Sequence, residues 1–393
     1  MTNDTTLEGL VVADFSQGVA GPYSGMMLAQ AGADVIKIEP FSGDWGRTLG
    51  TVYGDQCAHS VTVNLGKKSI ALDLKTEAGL KIARQLAGKA DIVIESFRPG
   101  VMAKFGLDYE TVKTTNGAVI YLSVTGYGQE GPYRDRPVTD SAIQGFSGWM
   151  SITRDAAGMP MKSGMVVMDF LTGLFAFQSI LKAIISRGIK GKGAYIDCNL
   201  MQAAAAFQSA KIMENHLEGG NPSLLYVPAA TMESADGYIG IAVMREKHFT
   251  ALCKVMGRND LADHPDYKTR TGRAANEEPL MAQLRAEFLK RTTAEWATAL
   301  GDAGVIHSPI NSYSDYLASE QAQATDSFAW IDHDGIGKIP LPRIPGFDDF
   351  KEGSAGAYSP HIGEHSAKIL QDLNFSEADI RDLQKSGAIP SED

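Results

Sequence analysis

Asp169 is the residue that most directly suggests chemistry. It follows the apolar residues 165–168 and begins a stretch with helical spacing, in which Leu174, Phe175 and Ile180 recur. Free N–H groups and the positive dipole end at a helix start keep a carboxylate ionised even when it is partly buried. A poorly hydrated carboxylate is a usable nucleophile. Aspartate is also a preferred N-cap, so the alternative is a purely structural cap.

Gly126, Gly128 and Gly131 fit the spacing G-x-G-x-x-G of dinucleotide-binding proteins. The chemistry of that motif requires the last glycine to open a helix whose N-terminus faces a pyrophosphate. Residues 132–137 (PYRDRP) begin and end with proline and cannot form a packed helix. The segment therefore predicts a mobile or substrate-lining loop, and NAD binding is disfavoured.

The segment 361–365 (HIGEH) matches the zinc motif H-x-x-E-H. That motif holds a metal only on a helix, where positions i and i+4 share a face. Pro360 and Gly363 interrupt such a helix, and only 28 residues remain for a third ligand. We expect no metal here, and expect His365 or Ser366 to start the terminal helix.

The charge of the chain limits its partners. Lys plus Arg number 36 and Asp plus Glu 47, giving a net charge of −11. An acidic surface disfavours nucleic acid and anionic lipid. Residues 1–104 are more balanced, with 10 basic and 11 acidic side chains. An anion-binding region is therefore expected in this N-terminal part.

Cysteine usage and the chain start indicate a cytoplasmic protein. Cys57, Cys198 and Cys253 form no Cys-x-x-Cys pair, which fits a reducing compartment. Residues 1–8 lack the basic-then-apolar order of a signal peptide. The most apolar stretch, 170–185, is interrupted by polar residues and is too short to cross a bilayer.

The elements that must position these residues alternate between strand and helix. Extended runs are predicted at 10–15, 34–38, 70–74, 91–95, 119–124 and 194–199, with helices at about 20–31, 76–89, 140–150 and 169–187 between them. Such alternation predicts a doubly wound parallel sheet with helices on both faces.

A second, smaller α/β domain is predicted after a break rich in Gly and Pro. Its strands are expected at 237–244 and 305–311 and its helices at 246–256 and 281–300. The large domain is predicted to comprise 1–215 and 330–393 and the small domain 225–325, joined by linkers 216–224 and 326–329. The tail is expected to be irregular until a helix at 366–373.

Several segments, in order along the chain, resemble the class III CoA-transferases, a family that includes formyl-CoA and carnitine CoA-transferases. The matching segments are 20–22 (AGP), 31–39 (AGADVIKIE), 43–47 (GDWGR), 66–75 (GKKSIALDLK), 95–100 (ESFRPG), 126–132 (GYGQEGP), 164–173 around Asp169, 235–238 (ADGY) and 363–365 (GEH).

The resemblance implies that Asp169 attacks an acyl-CoA thioester. The acyl-aspartyl anhydride and the aspartyl-CoA thioester would then be successive intermediates, with CoA passing to a second carboxylic acid. Neither a metal nor a tightly bound cofactor is implied, because CoA is a substrate. The family also forms interlocked, ring-like homodimers, and we expect the same here.

The resemblance further implies that CoA lies along the N-terminal loops. The candidate binding residues are Val19, Ala20, Lys37, Arg47, Lys67, Lys68, Phe97, Arg98, Lys104, Tyr127 and Asp140. Each basic residue has the alternative of being a solvated surface charge. Gln17 is a candidate oxyanion donor, with a helix cap as the alternative.

The α-methylacyl-CoA racemases are relatives of this family and give the alternative function, an epimerase. They place a histidine directly before the aspartate that matches Asp140, and this chain has Thr139 there. The two-base machinery for proton exchange is therefore absent. Asp140 itself is expected to cap the helix that follows it rather than to carry a proton.

Overall fold

The computed structural model describes residues 6–155, 157–220 and 226–390. The chain divides into two compact units. The large unit comprises Met1–Ser209 and Asp326–Asp393, and the small unit Ala210–Thr325. Of the predicted linkers, residues 221–224 lie outside the described residues, a helix continues to Leu217, and a strand begins at Phe328.

The strands are β1 (Val11–Asp14), β2 (Asp34–Glu39), β3 (Val52–Tyr53), β4 (Gln56–Cys57), β5 (Lys68–Ala71), β6 (Ile92–Glu95), β7 (Ile120–Thr125), β8 (Ala194–Asn199), β9 (Ala229–Glu233), β10 (Tyr238–Ala242), β11 (Ile306–Pro309), β12 (Phe328–His333) and β13 (Gly337–Pro342). The helices are α1 (Ala20–Gln30), α2 (Ala58–Asn64), α3 (Glu77–Lys89), α4 (Val101–Phe105), α5 (Tyr109–Thr115), α6 (Asp140–Phe146), α7 (Val167–Lys190), α8 (Leu200–Phe207), α9 (Ser209–Leu217), α10 (Glu246–Met256), α11 (Asn259–Asp263), α12 (Arg270–Ala275), α13 (Glu277–Phe288), α14 (Thr293–Asp302), α15 (Tyr313–Ala318), α16 (Glu320–Ala324), α17 (Ser366–Asp372) and α18 (Glu377–Lys385). Short 3₁₀ helices occupy Trp45–Thr48, Trp149–Ser151 and Ala355–Ala357.

The large unit is built on a six-stranded parallel sheet in the order β5-β2-β1-β6-β7-β8. The predicted parallel sheet is confirmed. The chain moves outward in one direction from β1 to β2 and β5, and in the other direction from β6 to β7 and β8. The topological switch point therefore lies between β1 and β6, where α/β sheets bind ligands beyond the carboxyl ends of the strands.

Helices cover both faces of this sheet and form two cores. Strands β6 and β7 are buried throughout, which explains their continuous apolar sequence. Helices α1 and α7 pack on one face with Val12, Ile94 and Leu122. Helices α3, α17 and α18 pack on the other with Ala13 and Val93.

Helix α7 is longer than the sequence predicted, with 24 residues, and its length and composition would suffice to cross a membrane. Its buried residues are Met168, Thr172, Gly173, Ala176, Ile180 and Ala183. They recur every three or four positions and so form one face, as in a core helix that packs on a sheet.

The small unit contains the antiparallel sheet β11-β10-β9 with helices around its own core. The single helix predicted at 281–300 is wrong. Two helices, α13 and α14, occupy this region because Thr292 and Glu295 form a capping box that starts a new helix. The expectation of an irregular tail is also wrong, because β12 and β13 form a hairpin in the large unit.

Candidate active site

A cavity of about 280 Å³ opens at the switch point of the large sheet. Its walls come from the loop after β1, the residue after β6, the end of β7 and the starts of α6 and α7. Among the residues that line it are Gln17, Val19, Ala20, Ser96, Asp140 and Asp169. The fold thus brings together side chains that are more than 150 positions apart in the sequence.

Asp169 is the third residue of α7 and is half-buried in this cavity. Burial raises the pKa of its carboxyl group to about 7, and the neighbouring Asp140 carboxylate adds to the effect. This direction is opposite to the expectation that the helix start keeps the group ionised. Within the described residues no side chain caps α7 from its own N-cap position, Val166. Asp169 is therefore not the helix cap that the sequence offered as its alternative role.

Asp140 supplies the missing cap from another helix. Its Oδ2 atom accepts hydrogen bonds from the backbone N–H groups of Met168 at 2.6 Å and Asp169 at 3.2 Å. The expectation that Asp140 caps its own helix is wrong, because the Thr139 hydroxyl takes that place on the Ala142 N–H. A carboxylate beside the first turn of α7 suits the helix dipole.

Three hydrogen bonds from the side chains of Ser96 and Asp44 hold the loop after β1. The Ser96 hydroxyl accepts the Gln17 N–H at 2.8 Å and donates to the Gln17 carbonyl oxygen at 3.1 Å. Asp44 Oδ1 accepts the Gly18 N–H at 2.8 Å. Gly18 has φ of +84°, and the Trp45 ring lies where a β-carbon would be. Only glycine fits there without moving the loop.

A second cavity, of about 240 Å³, lies at the carboxyl ends of β1, β2, β5 and β6. Phe15, Phe97 and Phe105 make it largely apolar, Lys75 stands at its wall, and Gln17 lines both cavities. Phe97 is among the residues predicted from the sequence, whereas Leu72 and Lys75, which also line this cavity, are not. Their position directly after β5, at the carboxyl edge of the sheet, was the signal that could have found them.

Three of the predicted phosphate-binding cations are buried in ion pairs. Lys37 contacts Asp44 at 2.6 Å, Arg47 contacts Glu39 at 2.7 Å, and Lys67 contacts Asp14 at 2.7 Å. Burial lowers the pKa of Lys67 to about 8, although Asp14 opposes the shift. None of the three presents its charge to solvent, so the structure places them inside the large unit rather than at a phosphate.

The remaining predicted residues lie in different surroundings. Lys68 is partly exposed and pairs with Asp34 at 2.8 Å. Arg98 and Lys104 are exposed, and in the described part of the chain neither forms a salt bridge. Tyr127 is buried against the rings of Tyr133 and Phe146 and does not line either cavity.

The glycine motif at 126–131 does not have the structure of a dinucleotide site, and the histidine motif at 361–365 does not have that of a zinc site. Residues 126–139 contain no helix, and the Gly128 N–H donates to the Thr125 hydroxyl. His361 Nδ1 contacts Asp55 Oδ1 at 2.6 Å. Across residues 6–155, 157–220 and 226–390, no group of three or more His, Cys, Asp or Glu is arranged to hold a metal ion.

Comparison with known proteins gives the family of the chain. The sequence model of CoA-transferase family III matches residues 7–366. The chain belongs to this family and is a class III CoA-transferase.

Among curated proteins, the chain is 33% identical to human succinyl-CoA:glutarate CoA-transferase, over 99% of this chain and 91% of the relative. It is 35% identical to succinate–glutarate CoA-transferase of Agrobacterium fabrum, over 94% and 96% of the two chains. Among solved structures, a CAIB/BAIF family protein from Brucella suis has 34% identity and a TM-score of 0.83, covering 94% of this chain and 100% of that one.

Proposed function

We propose that this enzyme moves CoA between a CoA thioester and a free carboxylic acid through covalent intermediates on Asp169. The observation that carries the proposal is the Asp169 carboxyl group, half-buried in the switch-point cavity with its pKa raised to about 7. Near neutral pH a large fraction of this group is ionised, and its weak hydration leaves the oxygen reactive.

The reaction is four successive acyl transfers. An Asp169 oxygen attacks the thioester carbonyl and expels CoA thiolate, which gives an acyl-aspartyl anhydride. The thiolate attacks the aspartyl carbonyl carbon, releases the first carboxylate and leaves an aspartyl-CoA thioester. The second carboxylate attacks this thioester and expels the thiolate, which finally attacks the new acyl carbonyl and frees Asp169.

The two cavities suit the two ends of CoA. The thioester would lie in the cavity that contains Asp169, and the adenine in the apolar cavity walled by Phe97 and Leu72. The arm that joins them would cross the strand ends beside Gln17. Exposed Lys75, Arg98 and Lys104 are the cations proposed for the phosphate groups.

Gln17 is proposed as the donor to the developing oxyanion. Its backbone N–H and carbonyl are both occupied by Ser96, while its side-chain amide forms no hydrogen bond within the described residues. A free amide at the wall of the Asp169 cavity can donate to a negative oxygen. The apolar side chains of Val124, Val138 and Val166 line the same cavity and help to exclude water from both hydrolysable intermediates.

We propose a short carboxylic acid as the acceptor. Relatives named for succinyl-CoA with glutarate, L-malate or mesaconate match more than 90% of this chain.

The epimerase alternative is not favoured, because Thr139 lines the cavity where a racemase has histidine and its hydroxyl caps α6. Without an added acid, an epimerase would wash solvent deuterium into the α-position of a branched acyl-CoA, and we expect no such exchange.

A cytoplasmic, interlocked homodimer is also proposed. Exposed apolar side chains near the start of α7 support a partner surface, since Ile152, Met159 and Met165 are each more than half exposed. Size-exclusion chromatography with light scattering should give twice the chain mass of 42.1 kDa. A monomer at micromolar concentration would contradict the dimer.

Trapping the covalent intermediate tests the function. The protein is mixed with a panel of acyl-CoAs that includes succinyl-CoA, quenched with hydroxylamine, digested and analysed by mass spectrometry. We expect a hydroxamate on the peptide that contains Asp169, and none in Asp169→Asn at early times. If no acyl-CoA of the panel produces this adduct, or if Asp169→Ala still exchanges CoA, the mechanism is wrong.

A further inference from the structure

We propose that Gln144 is a positioning residue that fixes Asp169 through Asp140. The inference rests on the proposed function, since it concerns the geometry of the proposed nucleophile. Gln144 lies on α6, and its side chain is completely buried. Its amide connects two segments that must be in register for Asp169 to face the thioester.

The first connection runs to Asp140. The two residues are four positions apart on α6, so their side chains lie on the same face. Gln144 Nε2 donates to Asp140 Oδ1 at 2.5 Å, while Asp140 Oδ2 accepts the N–H groups of Met168 and Asp169. A line of hydrogen bonds therefore leads from the Gln144 amide to the backbone of the nucleophile.

The second connection runs to the loop that enters α7. Gln144 Oε1 accepts the Ser163 N–H at 2.8 Å, and Nε2 also lies 3.4 Å from the Met165 carbonyl oxygen. The Ser163 hydroxyl in turn accepts the indole N–H of Trp149 at 3.0 Å. One side chain thus holds both the loop before α7 and the carboxylate that caps the start of α7.

The chemistry of the amide explains why this position has glutamine. A buried polar group is stable only when its donors and acceptors are paired. The Asp140 carboxylate requires a donor and the Ser163 N–H requires an acceptor, and a primary amide supplies both at once. A side chain that merely filled the core would need neither group.

Two substitutions separate a positioning role from simple packing. Gln144→Met keeps the unbranched shape but loses the hydrogen bonds to Asp140, Ser163 and Met165, so Asp140 and α7 are free to shift. We expect the rate of adduct formation on Asp169 to fall by about 100-fold, the effect of a displacement near 1 Å. The KM for acyl-CoA should stay unchanged, because the substituted side chain does not line either cavity.

Gln144→Glu adds a readout that packing alone cannot produce. A protonated Glu at 144 donates to Asp140 and still accepts from Ser163, so it reproduces both contacts. Among the described residues, Asp169 on α7 is the charged group that acts on Asp140. The loop that contacts Gln144 through Ser163 also carries Lys162, whose side chain is exposed. Helix α8 and Trp149–Ser151, which also pack on α6, carry no charged side chain. Two adjacent carboxyl groups share one proton, which is lost as the pH rises.

The ratio of the adduct-formation rate of Gln144→Glu to that of the unsubstituted enzyme should therefore be near one at pH 6 and fall by about 100-fold at alkaline pH.

The matched control for Gln144→Met is Gln30→Met on α1, which loses hydrogen bonds to Leu65 and Gly356 at 3.2 and 2.9 Å. This control should unfold at a lower temperature but form the adduct at the normal rate.

The outcomes distinguish this inference from the proposed function. If the unsubstituted enzyme forms no adduct on Asp169, both are wrong. If it does, but Gln144→Met forms the adduct at the normal rate, or the ratio for Gln144→Glu does not change with pH, only the positioning role is refuted. Should Gln144→Met fail to fold, the pH dependence of Gln144→Glu decides the question by itself.

Discussion

Replacing Asp169 by asparagine should stabilise the folded protein while it abolishes catalysis. The ordinary pKa of an aspartate is 3.8, and that of Asp169 in the folded protein is about 7. Each pH unit between the two values corresponds to about 1.4 kcal/mol. Ionising Asp169 in the folded state therefore costs up to about 4 kcal/mol, and an uncharged amide of the same shape avoids this cost.

The direction in which stability changes with pH follows from proton binding to Asp169 in the folded and unfolded states. Between about pH 4 and pH 7 the folded state holds a proton on Asp169 that the unfolded chain has lost. The free energy of unfolding therefore falls as the pH rises through this interval. Asparagine does not titrate, so this contribution to the pH dependence is absent from the variant. The free energy of unfolding of Asp169→Asn should therefore equal that of the unsubstituted enzyme at pH 4 and exceed it by about 4 kcal/mol at pH 8.

Urea unfolding followed by circular dichroism at several pH values between 4 and 8 measures this difference. The control is Asp263→Asn, which removes the same charge from an exposed position in the small unit. The control should change stability by less than about 0.5 kcal/mol at every pH.

One result would refute the reasoning. If Asp169→Asn is no more stable than the unsubstituted enzyme at pH 8, or if its advantage is the same at both ends of the pH range, Asp169 ionises without strain. In that case the raised pKa cannot be part of how the nucleophile works. The trapped adduct and the stability difference therefore test the same carboxylate by independent measurements.

Four further substitutions have defined outcomes. Lys67→Met leaves the buried Asp14 carboxylate without its partner at 2.7 Å, so urea unfolding should show a loss of about 3 to 5 kcal/mol; replacing Asp14 by Leu as well should recover much of it. Gly18→Ala forces an L side chain to φ of +84°, so a loss of about 1 to 3 kcal/mol and a higher KM for acyl-CoA are expected. Arg98→Ala and Lys104→Ala should each raise that KM about tenfold at low salt and less at high salt; an unchanged KM would remove the residue from the phosphate site.

The sheet could be predicted from the sequence because its signal is local. The buried strands are short apolar runs, and some are followed by a helix with a clear start, as at Thr76 before α3. The strand predicted at 194–199 and the helix predicted at 246–256 have the bounds that the structure gives them. The hairpin of β12 and β13 was missed because Pro340 and Pro342 and several glycines suggested a loop.

The roles of the basic residues could not be predicted, because burial depends on residues far away in the sequence. Lys67 is near neither Asp14 nor Pro22 along the chain, yet its ammonium group contacts both. Arg98 has the same charge and remains exposed. The residues next to a lysine or arginine in the sequence therefore do not show whether it binds a ligand or a buried carboxylate of the same protein.

The pKa of Asp169 has a further structural cause that only the fold provides. A helix start stabilises a carboxylate when its free N–H groups point at that carboxylate. Here the N–H groups of Met168 and Asp169 donate to Asp140 instead, so the donors are used by a second acid, whose negative charge then acts on Asp169. The helix start consequently fixes the position of the proposed nucleophile, Asp169, without lowering its pKa. A carboxylate that is held in place but poorly stabilised releases more free energy on forming an acyl bond than a carboxylate that already accepts several hydrogen bonds.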